Sequence, residues 1–338
     1  MTGKERVYRT LRFQKPDRIP VQMWALPATW YTHGDAFTEL RNEVKARSDF
    51  ASAGFSDPTA NPHIYDVGVH TDIWGCVWHN HQPGIVGEVK GWPLADDAAI
   101  DGYVSPAHLL KAISGEQANR EAAPAVAANA DKFIACGGCR VFEQMQFLRG
   151  TENLFMDIAA ESDEFFKIRD IVMEFALEQV RLAAAIEGGD SFAIFDDWGS
   201  QRALLISPDA WRKLFKPCYK RLIDVLKAAG KTVFFHSDGY VLDLYEEWID
   251  LGVDAVNTQL TCMGVENVGA KIRGRMTAWG ELDRQQIMRR GTTQDVQRLI
   301  DSIIEHIATP EGGLIGQFEA IMDMPMPNIR QGLFGWHK

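Results

Sequence analysis

The feature that most constrains this chain is a repeated alternation of short apolar runs with amphipathic helical segments. In the second half, the apolar runs lie at residues 191–195, 231–236, 254–257, 275–279 and 314–316. The segment between the first two shows the helical signals best. Ser207 is a favourable N-cap, Pro208 suits the first helical turn, and apolar residues follow at helical spacing up to Gly230. This alternation predicts βα units and a parallel sheet.

The first half is less regular, and residues 50–104 are rich in Trp, Gly, Pro and His, which favours a long elaborated loop. We expect strands at 18–24 and 132–135, and helices at 2–13, 151–160 and 162–187. With 338 residues and 46% hydrophobic content, the chain can bury a large core without disulfides. We therefore predict an α/β fold. Residues 1–338 are expected to form one (β/α)8 TIM-like barrel domain with an elaborated N-terminal region.

Composition limits the partners and the compartment. The net charge is −11 and no basic stripe is present, so neither nucleic acid nor an anionic membrane is an expected partner. No run of 18 or more apolar residues occurs, so no membrane span is expected. The five cysteines are odd in number and widely spread, and the first residues lack an apolar signal segment. These features favour a cytoplasmic protein.

Polar residues follow almost every predicted strand, and the C-terminal strand ends are where a (β/α)8 barrel carries its chemistry. In chain order they are Cys136, Cys139 and Glu143; Asp196, Asp197 and Trp198; His236 and Asp238; Asn257 and Gln259; Trp279, Glu281 and Asp283; Gln317 and Glu319. So many carboxyl groups repel one another unless a cation neutralises them. His236 and Asp238 offer a nitrogen and an oxygen, both of which Zn²⁺ accepts.

Each of these patterns also has a structural interpretation. A His-x-Asp pair is typical of a hydrogen-bonded turn, and Asp196-Asp197 of a capped turn. The single Cys136-Gly-Gly-Cys139 lacks a partner pair, so a glycine turn is favoured over a metal or redox site. The tryptophans are expected either in the core or around an aromatic pocket. No phosphate-binding glycine loop, dinucleotide fingerprint or serine-nucleophile elbow is present.

Six short motifs, in order, resemble the uroporphyrinogen decarboxylase superfamily over nearly the whole chain. They are Lys15–Pro20, Phe142–Glu152, Phe195–Gly199 followed by Ile206–Pro208, Gly252–Asp254, Trp279–Asp283 and Pro325–Ile329. The resemblance implies a (β/α)8 barrel. It also implies an activity in one of two branches, the porphyrinogen decarboxylases or the cobalamin-dependent methyltransferases.

The chain departs from both branches in informative places. True decarboxylases carry an arginine-rich stretch that holds substrate carboxylates, whereas Val21–Tyr31 contains no arginine. They also tend to place a histidine near the last strand, where this chain has Gly316-Gln317. Zinc-dependent thiol methyltransferases have His-x-Cys-Gly where this chain has His236-Ser-Asp-Gly239. An all-N/O ligand set suits an ether, alcohol or amine more than a thiol.

The resemblance and the strand-end residues together predict a corrinoid-dependent methyltransferase. It would move a methyl group from a small methoxylated or methylated compound to cobalamin on a separate corrinoid carrier protein. Zn²⁺ is expected on His236, Asp238 and Glu319, with Glu143 as an alternative ligand. The catalytic candidates are Asp197, Glu143 and Glu281. The substrate-binding candidates are Trp24, Asp196, Trp198, Gln201, Asn257 and Trp279.

Two other functions stay open from the sequence. One is a decarboxylase or lyase acting on a small carboxylic acid, in which the acids steer protons; CO₂ release would identify it. The other is a non-catalytic binding protein that keeps the barrel, which would bind a ligand without turnover. Whether the chain forms a homodimer also stays open.

Overall fold

Eight parallel strands form a nearly closed barrel in the computed structural model, which describes residues 1–336 apart from the side chain of Ala46. The strands are β1 (Val21–Ala25), β2 (Phe50–Ser52), β3 (Phe133–Cys139), β4 (Ser191–Phe195), β5 (Thr232–Ser237), β6 (Ala255–Thr258), β7 (Thr277–Trp279) and β8 (Leu314–Ala320). They pair in the order β1-β8-β7-β6-β5-β4-β3-β2. The predicted (β/α)8 fold is confirmed.

Helices connect the successive strands and cover the outside of the barrel. They are α1 (Gly3–Leu11), α2 (Pro27–Arg47), α3 (Ala107–Lys111), α4 (Gly115–Ala128), α5 (Phe142–Arg149), α6 (Thr151–Ala160), α7 (Asp163–Ala184), α8 (Pro208–Leu214), α9 (Lys216–Ala228), α10 (Tyr245–Leu251), α11 (Leu260–Met263), α12 (Val265–Ile272), α13 (Ile287–Arg290), α14 (Thr293–Ile307) and α15 (Met326–Phe334). Two short 3-10 turns lie at Asp97–Ala99 and Leu242–Leu244.

Helix starts follow the local signals of the sequence. The Ser207 hydroxyl accepts a hydrogen bond from the Ala210 amide, with Pro208 in the first turn of α8. Thr292 and Asp295 form a reciprocal capping box at the start of α14. Both predicted caps are confirmed, because they depend only on residues within one turn.

The barrel interior is filled by one side chain from nearly every strand. This inner cluster contains Phe50, Phe133, Ala193, Phe234, Ala255, Trp279 and Ile315, with Trp24 and Phe195 packed against it. Helix α1 contributes Val7 to the cluster. The Tyr8 hydroxyl donates to Asp190 over 2.9 Å, so α1 closes the N-terminal end of the barrel. The opposite, C-terminal end remains open for a site.

The first half differs from the sequence prediction in three places. Residues 50–104 contain barrel strand β2 and a three-stranded antiparallel sheet, the insertion sheet, at Gly68–Thr71, Val77–Asn80 and Glu88–Gly91. Strand β3 continues through the CxxC segment to Cys139, so the predicted glycine turn is wrong. A register shift lies there instead, and Gly137 has a positive φ of 114°. All five cysteines are free.

Among the helices of residues 1–336, none combines the length and the apolarity needed to cross a lipid bilayer.

Candidate functional site

Three ligand-type side chains converge at the C-terminal ends of neighbouring strands β4 and β5. Asp197, His236 and Asp238 each offer a ligand atom, and these atoms lie within 4.8 Å of one another. The His236 Nε2 atom is 3.5 Å from Asp197 Oδ1 and 3.9 Å from Asp238 Oδ1. Phe234 lies in the barrel interior, and His236, two residues later, lies on the same face of β5. Asp238 follows directly after the strand. We call Asp197, His236 and Asp238 the Asp-His-Asp group.

Asn257, on β6, fixes the orientation of the His236 ring. Its amide nitrogen donates to the Trp279 carbonyl and, over 2.8 Å, to Gln317 Oε1. Its Oδ1 atom therefore serves as the acceptor for His236 Nδ1, 2.5 Å away. Nδ1 therefore carries a hydrogen atom, and Nε2 is the ring nitrogen that lies nearest the two aspartates. A histidine that binds a metal through Nε2 has its ring held by an acceptor at Nδ1 in the same way.

A second group of acids is gathered around one guanidinium, that of Arg284. Arg284 bonds to Asp238, donates to Glu319 over 2.8 Å and lies 3.1 Å from Glu281 through its Nε atom. Burial opposes the charge of Arg284, but the carboxylates of Glu281, Asp238 and Glu319 outweigh it and raise its pKa. Arg284 is the protein cation that allows these acids to lie together.

Two buried carboxyl groups near these acids have strongly raised pKa values. Burial raises the pKa of Glu281 to about 8, although Arg284 acts in the opposite direction. Burial and the nearby charge of Asp197 raise the pKa of Glu143 to about 8 as well, against a 2.9 Å contact with Arg140. The raised pKa favours the protonated form of both carboxyl groups. Perturbed acids of this kind are common at functional sites.

The Asp-His-Asp group fits a divalent metal. One nitrogen and two carboxylate oxygens form a donor set that Zn²⁺ accepts. The Oδ1 atom of Asp238 is buried and has no hydrogen-bond partner among the described residues. Unpaired buried acceptors are costly, so an atom of this kind calls for a cation or a water. Arg284 already engages the other oxygen of Asp238, which leaves Oδ1 available.

Aromatic rings lie directly beside the histidine. The rings of Trp24 and Phe195 are each centred 5.9 Å from the His236 ring, and Trp24 meets Trp279 edge to face at 4.8 Å. The Trp279 indole nitrogen donates to Gln22 over 2.7 Å. These rings also border a cavity of about 600 Å³ on the side of β1 to β4. The predicted pocket tryptophans Trp24 and Trp279 thus both line this cavity, and Trp24 also lies beside the histidine.

Other candidates from the sequence lie away from the cavity. Asp196 is fully buried and accepts hydrogen bonds from the Val141 and Glu143 amides and from the Tyr219 hydroxyl. Burial raises the pKa of Asp196 to about 6 against these bonds. The carboxylate anchors the first turn of α5. A substrate contact does not fit this position.

Trp198 is likewise in the core, stacked on Phe142 at 4.0 Å with no exposed surface, so it does not line a pocket. Gln201 is exposed at the rim, where it donates to Gln259. Glu319, predicted as a metal ligand, is paired with Arg284 instead, and Asp197 takes its place beside His236. Asn257 has no exposed surface, so it contacts His236 rather than a substrate.

Sequence reasoning missed Arg284, Phe195 and the cavity wall after β2. The sequence places Arg284 three residues after Glu281, which suggests a pair of these two side chains but not the further contacts with Asp238 and Glu319. The neutralising cation expected from the sequence is, for these acids, the guanidinium of Arg284. The residues after β2 that line the cavity give no signal in the sequence. The strand before them has only three residues and lies inside an irregular segment, so no hydrophobic periodicity can be recognised there.

The sequence profile of the family described as Uroporphyrinogen decarboxylase (URO-D) matches residues 142–318, just over half of the chain. The chain belongs to the URO-D family. The predicted superfamily is confirmed, and four of the six motifs lie inside the matched range. No curated protein matches the sequence significantly.

Among solved structures, this URO-D family member is similar to a methyltransferase from Methanosarcina mazei. The TM-score is 0.68 at 16% identity, over 99% of this chain and 98% of that chain. A 3-keto-D-glucoside 4-epimerase from E. coli gives a TM-score of 0.41 at 12% identity, over 72% of this chain and 94% of that chain. At 16% identity, the first similarity shows a shared fold.

Proposed function

We propose that this protein is a methyltransferase that takes a methyl group from a small methoxylated or methylated compound and transfers it to cobalamin on a separate corrinoid carrier protein. The observation that carries the proposal is the Asp-His-Asp group at the barrel mouth, with Nε2 of His236 facing two carboxylates. The URO-D family and the fold shared with a methyltransferase support it.

Asp197, His236 and Asp238 would hold Zn²⁺, which as a Lewis acid would polarise the heteroatom that carries the methyl group. This set replaces the ligand set His236, Asp238 and Glu319 expected from the sequence. Asn257 keeps the histidine in the binding tautomer, and Arg284 holds Asp238 in place through its other oxygen.

The transfer would break the bond between the methyl carbon and a heteroatom and form a bond from that carbon to the reduced Co(I) of cobalamin, which would supply the electron pair for the new bond. The heteroatom would leave with the electron pair of the broken bond and would need a proton. Glu143 is the proposed donor, because it follows β3 at the same end of the barrel, and burial together with the nearby charge of Asp197 raises its pKa, which favours the protonated form. The pKa of Glu281 is raised by burial as well, but this carboxyl group faces Arg284. Its proposed role is to limit the negative charge around the metal ligands.

The test measures metal content and methyl transfer in the same preparation. Protein freed of metal with a chelator and reloaded with Zn²⁺ should bind about one ion per chain. With a methoxylated compound and chemically reduced cobalamin, it should produce the absorption spectrum of methylcobalamin. A chain that binds no zinc and forms no methylcobalamin under these conditions would refute the proposal.

The alternative is a decarboxylase or lyase acting on a small carboxylic acid, and the family description favours it. Against it, the cavity beside His236 is lined by no arginine or lysine among the described residues, so substrate carboxylates lack partners there. Release of CO₂ from a panel of small acids, measured without cobalamin, would favour this alternative.

A further inference from the structure

One guanidinium at the barrel mouth faces carboxyl groups from three separate segments of the chain. Nη1 of Arg284 donates to Glu319 over 2.8 Å, Nη2 bonds to Asp238, and Nε lies 3.1 Å from Glu281. Only 19% of the Arg284 side chain is exposed, so water and salt screen these contacts weakly. The five N–H donors of a planar guanidinium allow it to hold several carboxylates in fixed positions at once.

The position of Glu319 on β8 places it on the face that forms the barrel interior. It shares this face with Gln317 and with Ile315, which belongs to the inner cluster. Gln317 accepts a hydrogen bond from Asn257, whose Oδ1 atom contacts His236. Glu319 follows Gln317 at the C-terminal end of the strand, so its carboxylate lies at the same end of the barrel as the Asp-His-Asp group.

The donor set of a metal site decides which ion the site prefers. The Asp-His-Asp group offers one nitrogen atom and two carboxylates, a set that Zn²⁺ accepts. Carboxylate and water oxygens suit Mg²⁺, Ca²⁺ and Mn²⁺ instead. A third carboxylate would make the set richer in oxygen and would favour these harder ions relative to Zn²⁺.

We propose that Arg284 is a positioning residue that keeps Glu319 off the metal and so preserves the preference of the Asp-His-Asp group for Zn²⁺. The inference rests on the zinc site of the proposed function and explains its metal preference. Without the guanidinium, Glu319 loses the one ion pair that the described residues give it. A divalent ion held by the Asp-His-Asp group then becomes the cation that can neutralise this carboxylate.

Two matched double variants test this role by calorimetric titration of the metal-free full chain with Zn²⁺ and with Mn²⁺. Arg284→Met with Glu281→Gln leaves Glu319 free, whereas Arg284→Met with Glu319→Gln removes its charge. Each variant loses one cation, one carboxyl group and the contact between Arg284 and Asp238, so the two differ only in the glutamate that remains. Each also leaves fewer unpaired acids than Arg284→Met alone, which favours folding.

The measured quantity is the ratio of the Zn²⁺ affinity to the Mn²⁺ affinity. In the parent protein Zn²⁺ should bind more tightly, as it does at most sites of nitrogen and oxygen ligands. The ratio should fall at least about tenfold in the variant that keeps Glu319, and stay within about threefold of the parent value in the variant that lacks it. Arg289→Met is the control for loss of a positive charge, because Arg289 pairs with Asp323 instead, and its ratio should equal that of the parent.

The outcomes separate this inference from the proposed function. Equal ratios in the two double variants, once thermal melting shows that both are folded, overturn the role of Arg284. If the ratios differ as expected and no methyl group reaches cobalamin in the parent protein, the role of Arg284 stands and the methyltransferase proposal fails. If the parent protein forms methylcobalamin while the two ratios are equal, the reverse holds. A parent chain that binds neither ion overturns both.

Discussion

The two halves of the barrel contribute different things to the site. Strands β4 to β8 are regular, and the chain at their C-terminal ends supplies the charged groups, including Asp197, His236 and Asp238. Strands β1 to β3 are separated by long segments, and β3 carries a register shift. This first half supplies much of the cavity, from Trp24 on β1, the segment after β2 and the small residues of β3.

The proposed function thus takes its metal ligands from the second half of the chain and much of its cavity from the first half. Groups that must converge within a few ångström come from adjacent strands of fixed register, where their mutual geometry is rigid. The cavity wall draws on irregular segments, which tolerate change more readily. Substitutions in the second half should therefore affect mainly catalysis, and substitutions in the first half should affect mainly substrate binding.

The largest effect is expected for His236→Ala. Removal of the central ligand should abolish stoichiometric zinc binding and reduce methyl transfer by more than about 100-fold, since even residues behind a metal ligand contribute 10–100-fold. Metal analysis and the methylcobalamin assay measure the two losses. The exposed His108→Ala is the matched control. An unchanged zinc content in His236→Ala would show that the second half does not hold the metal through this residue.

Glu143→Gln should lower the transfer rate by about 100-fold, at the lower end of what a general acid contributes. With the parent protein, the rate should fall as the pH rises above the pKa of Glu143, which burial raises, because only the protonated carboxyl group can donate. The variant should lose this pH dependence. Rates from pH 6 to 10 test it, with the exposed Glu152→Gln as control. Glu143 follows β3, so a positive result would extend the catalytic groups into the first half.

Asn257→Leu should weaken zinc binding by about 10–100-fold, because the acceptor that holds the Nδ1 proton of His236 is lost. The ¹⁵N chemical shifts of the His236 ring should report a changed tautomer. Asn328→Leu is the matched control, since Asn328 is also buried and donates to two backbone carbonyls. Equal zinc affinity in both variants would show that Asn257 does not support zinc binding through His236 and has only a structural role.

Trp198→Phe should have the smallest effect on activity. Trp198 donates to Tyr219 in the core, so the free energy of unfolding should fall by about 1–3 kcal/mol while kcat and KM of the folded protein stay unchanged. Urea titration and steady-state kinetics measure the two quantities. Trp24→Leu is the contrasting variant, for which KM should rise. A raised KM in Trp198→Phe would instead support the substrate-binding role that the sequence predicted for Trp198.

Much of the candidate site could be predicted from its strand-end positions. His236 and Asp238 are two residues apart, a spacing that places both side chains on one face of an extended segment, and the structure brings them together with Asp197. The role of Arg284 could not be predicted in the same way. It depends on where a loop places one side chain among Asp238, Glu281 and Glu319, which local sequence does not encode.

The sequence by itself determined the alternation of strands and helices, the helix caps, the family and the end of the barrel that carries the polar residues. Only the tertiary structure decided which of two neighbouring residues faces inward. Asp197 points into the mouth, whereas Asp196 and Trp198 point toward the surrounding helices. The physical reason is that a parallel strand is buried on both faces. Its residues then lack the apolar and polar alternation from which the inward face could be read.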